Sequence, residues 1–405
     1  MRRGFALGLR AMLAVPRPVA ACLLLSAAAL LSSCGGSGGA TAEASPERIA
    51  ALGGRIFGDT SLSTSGRQSC ASCHDATFAH APPNTLRVQP GGATMDQQGA
   101  RAAPSIDYAS LSGPFRFDAS GRPLGGLFWD GRAATLQVQA ESPLLSPLEM
   151  ANNSRAEVVA KLARAAFADE FRAVFGADIF SRTDDAFERA TFALQQFQLG
   201  ESFRPFSSKY DAQLRGAAVL GTQEQRGLAL FNDPAKGNCA ACHPATRGAD
   251  GSPPLFTNFG YENLGVPRNN ELVRNEDGLY HDMGLCDRAD MRQRFDLCGF
   301  FKVPTLRNVA RRASFFHNGR FGSLREVLSF YATRDTEPQR WYPLDESGAV
   351  LKFDDLPPQH RANVNTRAAP YAGRQPGDAP ALTETEIDDL LAFLLTLNDG
   401  YVVSP

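Results

Sequence analysis

The stretch Cys70-Ala-Ser-Cys73-His74 and its later counterpart Cys239-Ala-Ala-Cys242-His243 decide how this chain folds. Each holds two thiols three residues apart, followed at once by an imidazole. Thiols so spaced can add to the two vinyl groups of one haem, and the adjacent His then binds the iron from the proximal side. A lone C-x-x-C could be a redox dithiol or half a zinc site. The His that follows, and the second copy, select haem. Two covalently bound haem c groups are expected, with His74 and His243 as iron ligands.

Working outward, the two motifs have matching preludes. Ala51-Leu-Gly-Gly-Arg-Ile-Phe57 leads to the first and Gln225-Arg-Gly-Leu-Ala-Leu-Phe231 to the second. Both read as short amphipathic helices ending in a Gly/Asp/Asn-rich loop. This is a repeated cytochrome c plan: helix, loop, haem motif, irregular wrap. The fold class follows as mainly α, with two cytochrome c-like domains packed pseudo-symmetrically, each carrying one haem c. Residues 46–205 form the N-terminal domain and 206–405 the C-terminal one, with 201–216 joining them. Helices are predicted over Arg155 to Phe175 and Asp184 to Phe197. Thr383-Glu-Thr-Glu386 is a capping box that opens a helix with Ile387, Leu390, Leu391, Leu394 and Leu397 on its core-facing stripe. Beta structure should be minor.

The chain begins with a basic start and an apolar stretch from Val19 to Leu31, then Leu31-Ser32-Ser33-Cys34. This reads as a lipoprotein signal over 1–33, with Cys34 lipidated and a flexible tether over 34–45. Ordinary signal cleavage nearby is the alternative. The apolar stretch is too short and too early for a spanning helix. The expected location is the periplasmic side of a bacterial envelope, with membrane contact only through the lipid anchor. Formal charge is -2 over 405 residues. Removing Arg2, Arg3, Arg10 and Arg17 with the signal leaves 37 basic against 43 acidic residues, and no basic run suggests nucleic acid. Of eight cysteines, Cys22 leaves with the signal, Cys34 takes lipid and four hold haem. Cys286 and Cys298 remain as a disulfide pair in an oxidising compartment. Metal ligation is the alternative, though no His pattern surrounds them.

Further strings carry a family resemblance: Phe128-Trp-Asp-Gly-Arg-Ala133 with Gln139, Pro143 and Pro147-Leu-Glu-Met150, then Phe301-Lys-Val-Pro-Thr-Leu-Arg-Asn308 with Phe316-His-Asn-Gly319. Through nearly all the mature chain it resembles the bacterial dihaem cytochrome c peroxidase and MauG superfamily. The resemblance implies that hydrogen peroxide reacts at the first haem, where heterolysis needs a group to relay a proton between its oxygens. Glu149 matches that catalytic Glu, Gln139 its amide partner, and Trp129 the indole between the haems. Asp130 and Arg132 are expected in turn and propionate contacts. His80 is too near the attachment site to cap the iron, and is expected at the surface or against a propionate. The first haem would then be open in the resting ferric state. His317 fits a propionate or network contact.

At the second haem the resemblance places the sixth ligand in Leu324-Arg-Glu-Val-Leu-Ser-Phe-Tyr331. Cytochrome-reducing peroxidases have Met there; this chain has Tyr331, as in MauG. A thioether favours ferrous iron, whereas a hard anionic phenolate favours oxidised iron. Phe256 to Arg268, the segments around Cys286 and Cys298, and Arg334-Asp-Thr336 through Trp341-Tyr-Pro343 resemble the MbnH-like branch. That branch is associated with peroxide-driven oxidation of a Trp in a partner protein, and in part with copper acquisition. The implied function is a peroxidase whose high-valent dihaem state oxidises a side chain, a Trp, of a periplasmic or surface protein; Trp341, the other indole, is expected in core packing, with a place near an exit route as the alternative. One alternative is a cytochrome c peroxidase fed by a small electron-donor protein, a cytochrome or cupredoxin. Another is a non-enzymatic dihaem electron carrier. The family's Arg-Asn-x-Pro is here Arg101-Ala-Ala-Pro104; Ala102 cannot ligate, so an interhaem calcium is doubtful.

Overall fold

The computed structural model describes residues 44–403, so the signal sequence, Cys34 and most of the tether lie outside the described residues. Ten α-helices carry the described chain: α1 Pro46–Gly58, α2 Cys70–Cys73, α3 Leu136–Leu145, α4 Arg155–Leu162, α5 Ala168–Phe175, α6 Thr183–Gln198, α7 Lys209–Leu214, α8 Thr222–Asn232, α9 Leu324–Thr333 and α10 Glu384–Leu395. Short 3-10 turns and loops join them. Strands among the described residues are two residues long and form three antiparallel pairs, of which Tyr261–Glu262 with Phe301–Lys302 matters below. The fold is mainly helical.

Two hydrophobic cores organise the helices. The first gathers Leu52, Ile56 and Phe57 of α1 against Ala186, Ala190, Ala193 and Leu194 of α6. In the second, Phe231 of α8 lies with Ile387, Leu390, Phe393 and Leu394 of α10. The local reasons for these helices are visible. Ser45 accepts from Arg48 N and Pro46 opens α1, where its missing N–H costs nothing. Thr383 and Glu386 form the capping box of α10 in both directions.

A glycine sets how closely each pair packs. A Cβ on Gly53 would collide with the Ala193 carbonyl and the Phe197 side chain of α6. One on Gly227 would collide with the Asp389 carbonyl and the Phe393 side chain of α10. In both helices the glycine stands four residues before the buried Phe, at Phe57 and Phe231. The prelude repeat is therefore a repeat of packing.

One expectation needs correction. The predicted helix over Arg155 to Phe175 is two helices, because the turn between α4 and α5 lets Ala165 and Phe167 both reach the core. In an unbroken helix Leu162 and Phe171, nine residues apart, would face opposite sides, whereas the break brings both into one core. On α10 the expected stripe, Leu391 included, packs on the second core, and Phe393 joins it fully buried. The joining segment 201–216 carries α7, which Ser208 and Asp211 cap reciprocally. Asp211 also takes both arms of buried Arg307, at 2.8 Å each.

Candidate functional site

Each haem motif borders its own cavity. The first, about 440 Å³, is lined by Cys73, His74, Trp129, Gln139, Pro143 and Glu149 among others. The second, about 380 Å³, is lined by Cys239, Cys242, His243, His317, Tyr331 and Tyr371 among others. The structure thus brings each predicted set together. Cys70 packs against the first core rather than lining the cavity.

The two histidines are oriented alike. His74 Nδ1 lies 3.0 Å from His80 O, and His243 Nδ1 lies 2.8 Å from Phe256 O. A carbonyl only accepts, so Nδ1 holds the proton and Nε2 keeps a lone pair for a metal. Burial pushes both imidazoles down to about 4, so they are neutral at physiological pH. Burial likewise pushes Cys70, Cys239 and Cys242 up to about 12 and Cys73 up to about 11. None of the four is in a disulfide. Paired thiols, a neutral imidazole and a cavity of cofactor size fit one covalently held haem on each side.

A second internal repeat, missed in the sequence, relates the far walls of the cavities. Phe128 and Phe316 both have positive φ, as do Gly131 and Gly319. Bridges join Leu127 to Ala133 and Phe315 to Phe321. Thr135 and Ser323 then cap α3 and α9. Counting along both helices, Trp129 corresponds to His317 and Pro143 to Tyr331. The position that offers a phenol to the second cavity offers the first an imino ring with no ligating atom.

Glu149 is half-buried in the turn after α3, with its N–H donating to Ser146 O at 3.0 Å and its carbonyl accepting from Gly92 N at 2.8 Å. Burial raises its carboxyl above the usual range, against a hydrogen bond from Ser146 and the Arg132 charge. A carboxyl held so keeps a proton more readily than an ordinary Glu and can still give it up. Trp129 is buried, donates to Ala102 O at 2.8 Å, and lines both cavities. Asp130 is buried and pairs with Arg101 at 2.6 Å and Arg132 at 2.9 Å, while Arg132 stacks on Phe128.

Tyr331 projects from α9 beside Tyr371, with ring centroids 6.4 Å apart. Burial raises its phenol well above the ordinary value, so only a strong cation could hold the phenolate there. His317 stacks on Phe301 at 3.5 Å, its Nε2 3.7 Å from Asp355. Cys286 and Cys298 are joined in a disulfide. Trp341 packs in the second core and donates to Thr333 Oγ1 at 2.9 Å.

His80 is not at the surface. It is buried, bonded through Nδ1 to Asp107 Oδ1 at 2.6 Å and stacked on Phe203. Its carbonyl is the acceptor that orients His74.

A family model described as di-haem cytochrome c peroxidase matches residues 47–219. The methylamine utilization protein MauG of Paracoccus denitrificans is 35% identical over 369 residues, covering 87% of this chain and 89% of that protein. The chain belongs to the di-haem cytochrome c peroxidase family. As a member of it, the protein is an oxidoreductase that acts on peroxide. The crystal structure of the diheme peroxidase BthA from Burkholderia thailandensis matches with a TM-score of 0.81 at 40% identity, covering 88% of this chain and 89% of that one. A MauG-like protein associated with microbial copper homeostasis matches with a TM-score of 0.61 at 27% identity, covering 89% and 92%. This peroxidase is thus more similar to BthA than to the copper-associated protein.

In this peroxidase, sequence reading missed several residues of the site. Lys302 and Arg312 line both cavities, and Tyr371 and Glu262 line the second. Gln68 Nε2 lies 3.7 Å from Cys73 Sγ. Gln68, two residues before its motif, and Lys302 and Glu262, each inside a string cited above, carried a local signal.

Proposed function

We propose that this protein is a MauG-like dihaem c peroxidase that uses hydrogen peroxide to oxidise a side chain, a Trp, of a partner protein. The observation that carries the reading is the pairing of Pro143 with Tyr331. Equivalent helices present no ligating atom to the first cavity and a buried phenol to the second. Covalent attachment would use Cys70 and Cys73 on one side, Cys239 and Cys242 on the other. When bound, haem supplies the iron at which peroxide is reduced.

The chain's own residues divide the remaining work. His74 and His243 present Nε2 while the His80 and Phe256 carbonyls hold their rings. Glu149 accepts a proton from one peroxide oxygen and returns it to the departing one, with Gln139 lining the same cavity. Trp129 provides an aromatic step between the cavities. Tyr331 favours the oxidised state on the second side. A protein substrate is too bulky for a buried cavity, so its side chain is oxidised from a distance. The two cores support two cytochrome c-like domains dividing near 205 and 206. The N-terminal sequence supports a lipid-anchored protein on the periplasmic side.

Electron paramagnetic resonance of the diferric holoprotein tests this reading. One high-spin signal from the first haem and one low-spin signal from the second are expected, and Tyr331→Met should alter only the second. Two low-spin signals would indicate an electron carrier. A second signal unchanged by Tyr331→Met would remove Tyr331 as ligand.

A further inference from the structure

Five residues line both cavities: Trp129, Lys302, Pro304, Thr305 and Arg312. Two are cations, and neither meets a carboxylate. Lys302 Nζ donates to Ser112 Oγ at 2.9 Å and Gly126 O at 2.6 Å, both neutral. Arg312 reaches only Ala103 O, at 3.5 Å from Nη2, and its Nε is sealed from solvent without any partner.

Other guanidiniums buried nearby behave differently. Arg101 pairs with Asp130 and Asp282, Arg268 with Asp355, Arg307 with Asp211 and Arg334 with Asp335. Leaving a charge buried and unpaired costs several kcal/mol, so Arg312, bare where these neighbours are paired, has a counter-charge still to come. Burial pushes Lys302 down to about 8 and Arg312 down to about 10, and both remain mainly charged near neutrality.

We propose that Arg312 and Lys302 bind haem propionates, with Arg312 shared between a propionate of each haem as a charge bridge across the common wall. This rests on the reading that each cavity holds a haem. A planar guanidinium with several N–H donors can serve two carboxylates at once, whereas an ammonium acts as a point charge. Arg312, lining both cavities beside Trp129, would then hold a carboxylate on each side of the common wall. Its charge also stabilises the more negative, reduced state of both irons. The Lys302 N–H donates to Trp129 O at 2.8 Å, so the same wall positions the indole.

The test is potentiometric titration of the holoprotein, following both haems by absorption, for wild type, Arg312→Gln and Arg312→Lys. Both potentials should fall in Arg312→Gln and stay closer to wild type in Arg312→Lys. If either potential is unmoved in Arg312→Gln while two haems are bound, the shared bridge is wrong. Should Arg312→Gln fail to fold, resonance Raman of wild type and Arg312→Lys decides. Propionate bending bands must shift on both haems, and unchanged bands overturn the proposal. A haem count below two in wild type would defeat the dihaem c reading itself, which separates the two failures.

Discussion

Trp129 hangs from Ala102: its indole Nε1 donates to the Ala102 carbonyl at 2.8 Å, and the Ala102 N–H donates in turn to His317 O at 2.8 Å. His317 is the residue that corresponds to Trp129 in the repeat that shapes the far wall of each cavity. One residue, Ala102, therefore ties both walls together. Trp129→Phe keeps most of the ring but leaves the buried Ala102 carbonyl unsatisfied, which costs about 1–3 kcal/mol. The variant should fold with a lowered melting temperature. After one equivalent of peroxide, its second haem should keep its ferric signal for longer than in wild type, as rapid-freeze paramagnetic resonance would record.

The glycine contacts predict a sharp contrast in stability. Gly53→Ala and Gly227→Ala each force a methyl into a helix carbonyl, so α1 or α10 must move, at about 1–3 kcal/mol or more. Gly58→Ala, in the same helix as Gly53 with nothing within 4 Å of its Cβ, should be neutral or stabilising by up to about 1 kcal/mol. Thermal unfolding of the three holoprotein variants checks this. Equal effects at Gly53 and Gly58 would mean that close packing does not explain the repeat.

Glu149 sets a pH dependence. Burial raises its carboxyl, so the protonated form persists to higher pH than for an ordinary Glu, and the proton-accepting form appears later. The rate of reaction with peroxide should therefore rise with pH, through a midpoint above the usual ~4.3. Glu149→Gln should react about 10²–10⁴-fold more slowly and lose that limb of the profile. Stopped-flow absorption across the pH range measures both.

The parts of the site that could be read from sequence are those whose chemistry is local. Cys-x-x-Cys-His carries its meaning in five residues, and the capping box of α10 in four. Tyr331 and Glu149 were legible only because longer strings around them resemble a family. What escaped reading depends on contacts between distant segments. His80 is buried because Phe203 stacks on it and Asp107 binds it, neither of which its neighbours in sequence foretell. The helix breaks between Leu162 and Phe171 so that both enter one core, although the residues on each side read as helical. Arg312 looks like any surface arginine in Arg311-Arg312-Ala313, yet Arg311 is exposed while Arg312 lines both cavities.

The measurement that bears most directly on the whole account is the addition of one equivalent of hydrogen peroxide to the diferric holoprotein, without reductant, followed by absorption and paramagnetic resonance. The account predicts rapid, long-lived loss of both ferric signals, restored when a protein with an accessible Trp is supplied. No reaction until the second haem is reduced would contradict it, and would make the protein a cytochrome-fed peroxidase in which Tyr331 does not hold the second iron oxidised.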